Sequence, residues 1–150
     1  MGWTNKGKMR VLALVRGATL ETNFYICLYT DASAPDADTD VNSDLTMIAA
    51  GNGYVAGGYE LTPNATDFDV LTEDDGNDRA LIQIKDVVWT ASGGSIPDTG
   101  DGARYAALTD DDGTVADREL WWTWDLASAR AVSDGQTLTL QNLEARINNA

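Results

Sequence analysis

Histidine is absent from this 150-residue chain. That excludes the Ser-His-Asp and Cys-His nucleophile arrangements and any metal site built on imidazole. Cysteine occurs once, so no internal disulfide forms. Cys27 lies in the apolar run Phe24-Tyr25-Ile26-Cys27-Leu28-Tyr29, which assigns it to the core as a small, inert hydrophobe. No apolar stretch approaches the roughly 20 residues that span a bilayer, and residues 1–20 lack the apolar segment and cleavage pattern of a secretory signal. The expectation is a soluble protein with no membrane partner. Acid is missing from the first 16 residues, which hold Lys6, Lys8, Arg10 and Arg16, while residues 17–150 set 6 bases against 24 acids, a net of −18.

That division of charge excludes one function class and favours another. A body at −18 repels phosphate, because nucleic-acid affinity comes from Lys and Arg displacing counterions, so no nucleic-acid partner is expected. Opposite potentials on one small protein favour association with copies of itself or with an acidic neighbour. The reading is a basic N-terminal arm or short helix over residues 1–17, followed by a single acidic domain over 18–150. A chain of this length buries about 70% of its unfolded surface without staples.

Thr4 or Asn5 caps a helix over about 5–16 that Gly17 stops, although Val11, Ala13 and Val15 also alternate as a strand would. Phe24 to Tyr29 alternates as a strand. Residues 31–44, with five aspartates and Pro35, read as a long surface loop too polar to pack. Glycines around Tyr54 and Tyr59 predict sharp turns and a close backbone approach. Residues 67–78 read as a second acidic loop, and Ala80 to Trp89 as one strand. Arg104 to Thr109 and Glu119 to Leu126 read as a hairpin turning at Asp110-Asp111-Asp112-Gly113. In its second arm Trp122 and Trp124 are assigned to the core, and Trp121, on the face of Thr123 and Asp125, to an interface. Thr137 to Ile147 changes phase at Gln141-Asn142, where one extra residue, a β-bulge, restores Leu138, Leu140, Leu143, Ala145 and Ile147 to one face. Short strands between polar turns give the fold class: mainly β, an antiparallel β-sandwich of jelly-roll type with about seven or eight strands and a short N-terminal helix.

Carboxylates are so abundant that their proximity in sequence says nothing about acid–base catalysis, and no enzyme activity is expected. Calcium needs six to eight oxygens. Asp36, Asp38, Asp40, Asn42 and Asp44 have alternate spacing, but Val41 stands where the EF-hand needs glycine and Met47 where it needs glutamate. Glu73-Asp74-Asp75 and Asp110-Asp111-Asp112 lie on predicted turns, where carboxylates serve turn chemistry. No cofactor is therefore expected, with a structural calcium in these loops as the alternative.

A pattern runs through these features: an aromatic-aliphatic strand ending in Leu28-Tyr29-Thr30, the loop Asp31-Ala32-Ser33-Ala34-Pro35, and Leu45-Thr46 leading to Gly53-Tyr54. It continues through Asp86-Val87-Val88-Trp89-Thr90, Arg104-Tyr105-Ala106-Ala107-Leu108-Thr109-Asp110, an aromatic strand, and Ser133-Asp134-Gly135-Gln136-Thr137-Leu138-Thr139-Leu140. It resembles the small virion structural proteins of tailed bacteriophages, from which this chain departs in the extra acid of its loops. The resemblance implies a capsid decoration, or cement, protein of the virion and carries over no catalytic residue. Its implied partners are the major capsid protein and other virion subunits, together with copies of itself, as a trimer. The partner-binding residues expected are Trp3, Lys6, Lys8, Arg10, Arg16, Trp121, Tyr54 and Tyr59. The arm with Trp3 would reach an acidic neighbour while the acidic loops face solvent.

Two other readings compete. One is a tail or tail-fibre component that touches host glycans through Trp121, Tyr54 and Tyr59. The other is a calcium-dependent carbohydrate-binding module, for which acidic loops and aromatic platforms also serve. Turn chemistry alone predicts that a chelator leaves the melting temperature unchanged, whereas a bound structural calcium requires it to fall, and a thermal melt with and without chelator measures which.

Overall fold

Thr4 begins the helix. In a computed structural model of the chain, which describes residues 1–148, its backbone is extended (φ −71°, ψ 162°) and its hydroxyl accepts the Gly7 N–H at 2.9 Å. The helix, α1 (Asn5–Val15), ends at Gly17, whose φ of +90° suits glycine. Val11, Ala13 and Val15 are thus helical. Nine strands follow among the described residues: β1 (Phe24–Tyr29), β2 (Tyr59–Leu61), β3 (Val70–Asp74), β4 (Arg79–Ile84), β5 (Val87–Thr90), β6 (Ala103–Thr109), β7 (Leu120–Arg130), β8 (Thr137–Leu140) and β9 (Leu143–Asn148). All pair antiparallel, in the orders β2-β1-β6-β7, β3-β4-β9 and β5-β8. The fold is mainly β and of the sandwich kind.

The four-stranded sheet is covered on both faces. Phe24, Ile26 and Leu28 of β1 point into the larger core with Ala106 and Leu108 of β6. Cys27 and Tyr29 point the other way, into a smaller core with Leu45, Tyr105, Ala107 and Leu120. The second face is roofed by the segment expected to be a solvated loop. Pro35, Thr39 and Asn42 are buried, and a 3₁₀ turn forms over Asn42–Asp44. Asn42 makes this possible, because its side chain accepts the Tyr29 hydroxyl at 2.5 Å and donates to the Val115 carbonyl at 2.7 Å, so a polar residue is buried without an orphaned group. Cys27 is fully buried as expected, and burial pushes its thiol pKa up.

The expected single strands at 80–89 and 137–147 are each broken. Ile84 pairs with Leu143 and Val87 with Leu140, so two residues, Lys85 and Asp86, stand opposite two, Gln141 and Asn142. The register is unchanged across the gap, and no extra residue is present. The predicted bulge is therefore replaced by a matched two-residue break in both strands. Asn142 takes φ +56° there, and Gln141 donates to the Asp86 carboxylate at 3.0 Å. A step of three residues turns the opposite face of each strand inward. Ile84, Val87, Trp89, Leu138, Leu140, Leu143 and Ala145 all reach the larger core as a result, while Ile147 stays exposed. The second acidic loop is likewise corrected in part: Val70–Asp74 is β3, an edge strand paired with β4, while residues 67–69 and the turn 75–78, which holds the 3₁₀ turn Asp75–Asn77, remain loop. The β6–β7 hairpin forms as expected, but its connection is longer than a tight turn and holds a 3₁₀ turn at Val115–Asp117.

The β6–β7 pairing has two register shifts, one between Ala103 and Tyr105 and one, a single-residue bulge in β7, near its start. Leu108 faces Trp122 but Thr109 faces Leu120, which leaves Trp121 as the extra residue. Consecutive indoles then both turn inward, and Trp121, assigned to an interface by simple alternation, packs edge-on against Phe24 with ring centroids 5.0 Å apart. The backbone at the bulge receives the N-terminus. Thr4 N–H donates to the Trp121 carbonyl at 3.2 Å, the Thr4 hydroxyl donates to the Leu120 carbonyl, and Thr123 N–H donates to Gly2 at 3.0 Å. Residues 1–4 are thereby laid along β7, and Trp3 bridges Trp122. The indole N–H groups of Trp3 and Trp124 donate to the Arg146 and Glu144 carbonyls of β9 at 2.8 and 2.9 Å, which ties the two layers together at this side.

Gly7 allows the helix to settle on this bulge: a Cβ there would stand 2.1 Å from the Trp121 carbonyl oxygen. Gly58 allows a similar approach to Ile26, the close contact expected from the glycines around Tyr59. Alanine is the better helix former by about 1 kcal/mol, yet Gly7→Ala is expected to lower the melting temperature, because overpacking costs about 1–3 kcal/mol. A thermal melt that rises instead would show that the helix does not depend on this contact.

Candidate partner-binding surface

Four bases lie on α1 or at its C-terminal cap, and they do two different jobs. Lys6 and Arg10, one turn apart, point toward the chain's own body. Lys6 Nζ stands 3.8 Å from Glu119 and 3.9 Å from Asp40, and Arg10 Nε donates to Glu119 at 2.5 Å. The Glu119 hydrogen bond raises the Arg10 pKa, with Glu21 and Asp110 adding to it. These two residues were expected to grip a partner; they are instead the counter-ions of acids in the same chain. Lys8 and Arg16 are exposed and form no ion pair among the described residues.

Gly7 and Val11 face the body. The opposite stripe of the helix carries Lys8, Met9, Leu12, Val15 and Arg16, with Leu12 66% and Val15 84% exposed. Leu20, past the helix, is also exposed and lines a cleft together with Val11, and across that cleft Leu71 of β3 is 78% exposed. That cleft, of about 400 Å³, is lined by Val11, Leu20, Phe24, Phe68, Leu71 and Ile82 among others, and is almost wholly apolar. A second cleft, of about 590 Å³, lies beside it, and the two share Trp3 and Val11. On the helix, Lys8, Met9, Leu12 and Arg16 line one shallow groove, and exposed apolar residues grouped among charges mark a contact surface, unlike single apolar residues scattered over a protein. Met9, Leu12, Val15, Leu20 and Leu71 were not among the expected site residues. The available signal was the recurrence of Leu12 and Val15 with Lys8 and Arg16 at helical spacing.

The other expected site residues divide by burial. Trp3 is half-buried, edge-on to Trp122 at 5.1 Å, and lines both clefts. Trp121 and Tyr54 are buried, and the Tyr54 hydroxyl accepts the Leu28 N–H at 3.0 Å, so neither presents a ring to a partner. Tyr59 is half-buried, edge-on to Trp89 and beneath the Lys85 ammonium. These three rings do not form an exposed aromatic platform. Of the Trp122–Trp124 pair assigned to the core, Trp122 is buried and Trp124 half-buried.

The acidic segments use their carboxylates locally. Asp44 accepts from the N–H groups of Asp40 and Val41, Asp36 from Asp38 N–H and the Thr39 hydroxyl, and Asp112 from Thr114 N–H. Among the described residues no three or more carboxylate or thiol side chains are grouped to hold a metal ion. Asp67 is held below the usual carboxylate range by the Lys85 hydrogen bond at 2.5 Å.

Glu21 and Asp110 behave oppositely to Asp67. Burial raises the pKa of both, and Asp110 and Asp111 raise that of Glu21 further. A carboxyl whose folded pKa lies above its unfolded value destabilises the fold when ionised, and the penalty disappears as pH falls through the folded pKa to the unfolded one. Glu21→Gln is therefore expected to raise the melting temperature at pH 7, with the difference shrinking toward zero at about pH 3, below the ordinary glutamate range, where folded and unfolded chains are both protonated. Paired melts at the two pH values measure it; an equal shift at both would rule out this charge effect.

No helix among the described residues is long and apolar enough to cross a membrane. No protein-family model, curated protein or solved structure matches the chain.

Proposed function

We propose that this protein is a structural subunit of a tailed-bacteriophage virion that decorates the outer face of the assembled capsid, held there by subunit contacts made through the α1 face. One observation carries the contact reading. On a body of net charge −18, the helix turns Leu12 and Val15 outward beside Lys8 and Arg16, which form no ion pair among the described residues. Such a surface costs solubility in a free monomer and is satisfied by an apolar, acid-bordered neighbour. The placement on a virion rests on the motif order described above. The work done is mechanical: cores buried on both sides of the central sheet resist deformation, and the exposed acids keep like particles apart.

The test is direct binding. Purified protein added to phage heads that lack it should co-sediment with them to a saturating, fixed copy number, and immunogold labelling should mark the head. Lys8→Glu with Arg16→Glu should reduce that occupancy by about tenfold or more, the effect of losing about 1.4 kcal/mol of contact energy. Saturating label on tails alone would refute the capsid assignment.

A further inference from the structure

Trp121 has a buried N–H with nothing to donate to. The bulge turns its ring inward, where it is only 5% exposed, and its indole Nε1 has no hydrogen-bond partner among the described residues. The indoles of Trp3 and Trp124, by contrast, each reach a β9 carbonyl. A buried donor without an acceptor is rare, because the hydrogen bond it made to water in the unfolded chain is not replaced. Trp121 also lines the apolar cleft of about 400 Å³ beside α1, together with Val11, Phe24, Phe68, Leu71 and Ile82. Among the described residues no charged side chain lines that cleft. Asn64, a polar residue on its wall, already uses its side-chain oxygen to accept the Thr66 and Asp67 N–H groups.

We propose that this cleft binds a small, uncharged, largely apolar molecule carrying one hydrogen-bond acceptor, such as a ketone or ester carbonyl, which takes the Trp121 N–H. The volume lies within the range of about 300–1,000 Å³ usual for small-molecule pockets, and apolar walls with few polar groups are their usual chemistry. Apolar cavities hold water poorly, since an ordered water needs about two to four polar partners, and they accept organic molecules instead. A carboxylate, a phosphate or an ammonium group would find no counter-charge on these walls. Phe24, Phe68 and Trp121 offer ring faces and edges to an aromatic ligand. Access is through the side where Leu20 and Leu71 are exposed. The outward residues of α1, Lys8, Met9, Leu12, Val15 and Arg16, do not line this cleft, so the inference is independent of the α1 contact and of the virion assignment.

Benzophenone and diphenylmethane, which differ only in a carbonyl against a methylene, test the site by NMR titration of the full chain. Benzophenone should bind saturably and move the Trp121 indole proton downfield, while diphenylmethane should bind without that downfield move. Trp121→Phe keeps an apolar ring but removes the donor. It should lower the ratio of benzophenone affinity to diphenylmethane affinity about fivefold, the effect of one lost hydrogen bond. Leu71→Glu, at an exposed position, sets a charge beside the cleft and should weaken both ligands about tenfold. Circular dichroism of each variant confirms that it folds; if Trp121→Phe does not, the indole shift and Leu71→Glu decide. No saturable binding of either compound up to its solubility, an unchanged affinity ratio in Trp121→Phe, an indole proton that benzophenone leaves in place, or ligands indifferent to Leu71→Glu overturns the proposal. Binding of the chain to phage heads is measured without either compound, so the decoration reading stands or falls separately.

Discussion

The extra residue in β7 is the constraint on which the rest of this structure depends. An ideal strand would have sent Trp121 and Trp122 to opposite faces, one of them into solvent. The bulge turns both inward, and each large ring removes about 150–250 Å² from water. It lies on the edge strand of its sheet, where the Leu120 and Trp121 carbonyls need donors from outside the sheet. Thr4 supplies them from its N–H and hydroxyl while the same hydroxyl oxygen caps the helix. Gly7 supplies the space. A single backbone irregularity thus places the indoles, anchors the N-terminus and sets the orientation of α1, and through α1 it decides which helical residues reach solvent.

Electrostatics act within that frame. Once α1 is docked, Lys6 and Arg10 stand over Glu119 and Asp40, and the local excess of acid around Glu21 and Asp110 gains a counter-ion. The chain's basic segment is divided between an internal task and an external one. Partly buried ion pairs of this kind contribute modestly to stability, since desolvation opposes the attraction. Their larger effect is to leave Lys8 and Arg16 as the bases of the helix that a neighbour can meet.

Much of the fold was legible in sequence. The helix boundaries, β1 and the β6–β7 hairpin follow from capping residues and from period-two alternation, signals carried by side chains close to one another in the chain. Cys27 as inert core follows from its apolar neighbours. The errors share a cause: residues whose environment is set by distant segments. The loop 31–44 packs because Asn42 finds Tyr29 and Val115, and no local pattern reports that. Residues 70–74 form a strand, despite their acid, because β4 offers a ladder. The phase change at Gln141-Asn142 was visible, but an inserted residue and a matched break look identical in one strand; only the partner's Lys85-Asp86 distinguishes them.

The sequence by itself determined the mainly β class, the separation of a basic N-terminus from an acidic body, and the exclusion of histidine-dependent chemistry, because composition and short-range periodicity suffice for each. The tertiary structure alone decided which charges and rings are available to a partner. Lys6, Arg10, Trp121 and Tyr54 are consumed internally, while Lys8, Arg16, Leu12, Val15 and Leu71 face outward. The physical reason is that exposure is a property of packing: the same indole or guanidinium is an interface group or a core group according to whether a remote carbonyl, carboxylate or ring meets it first.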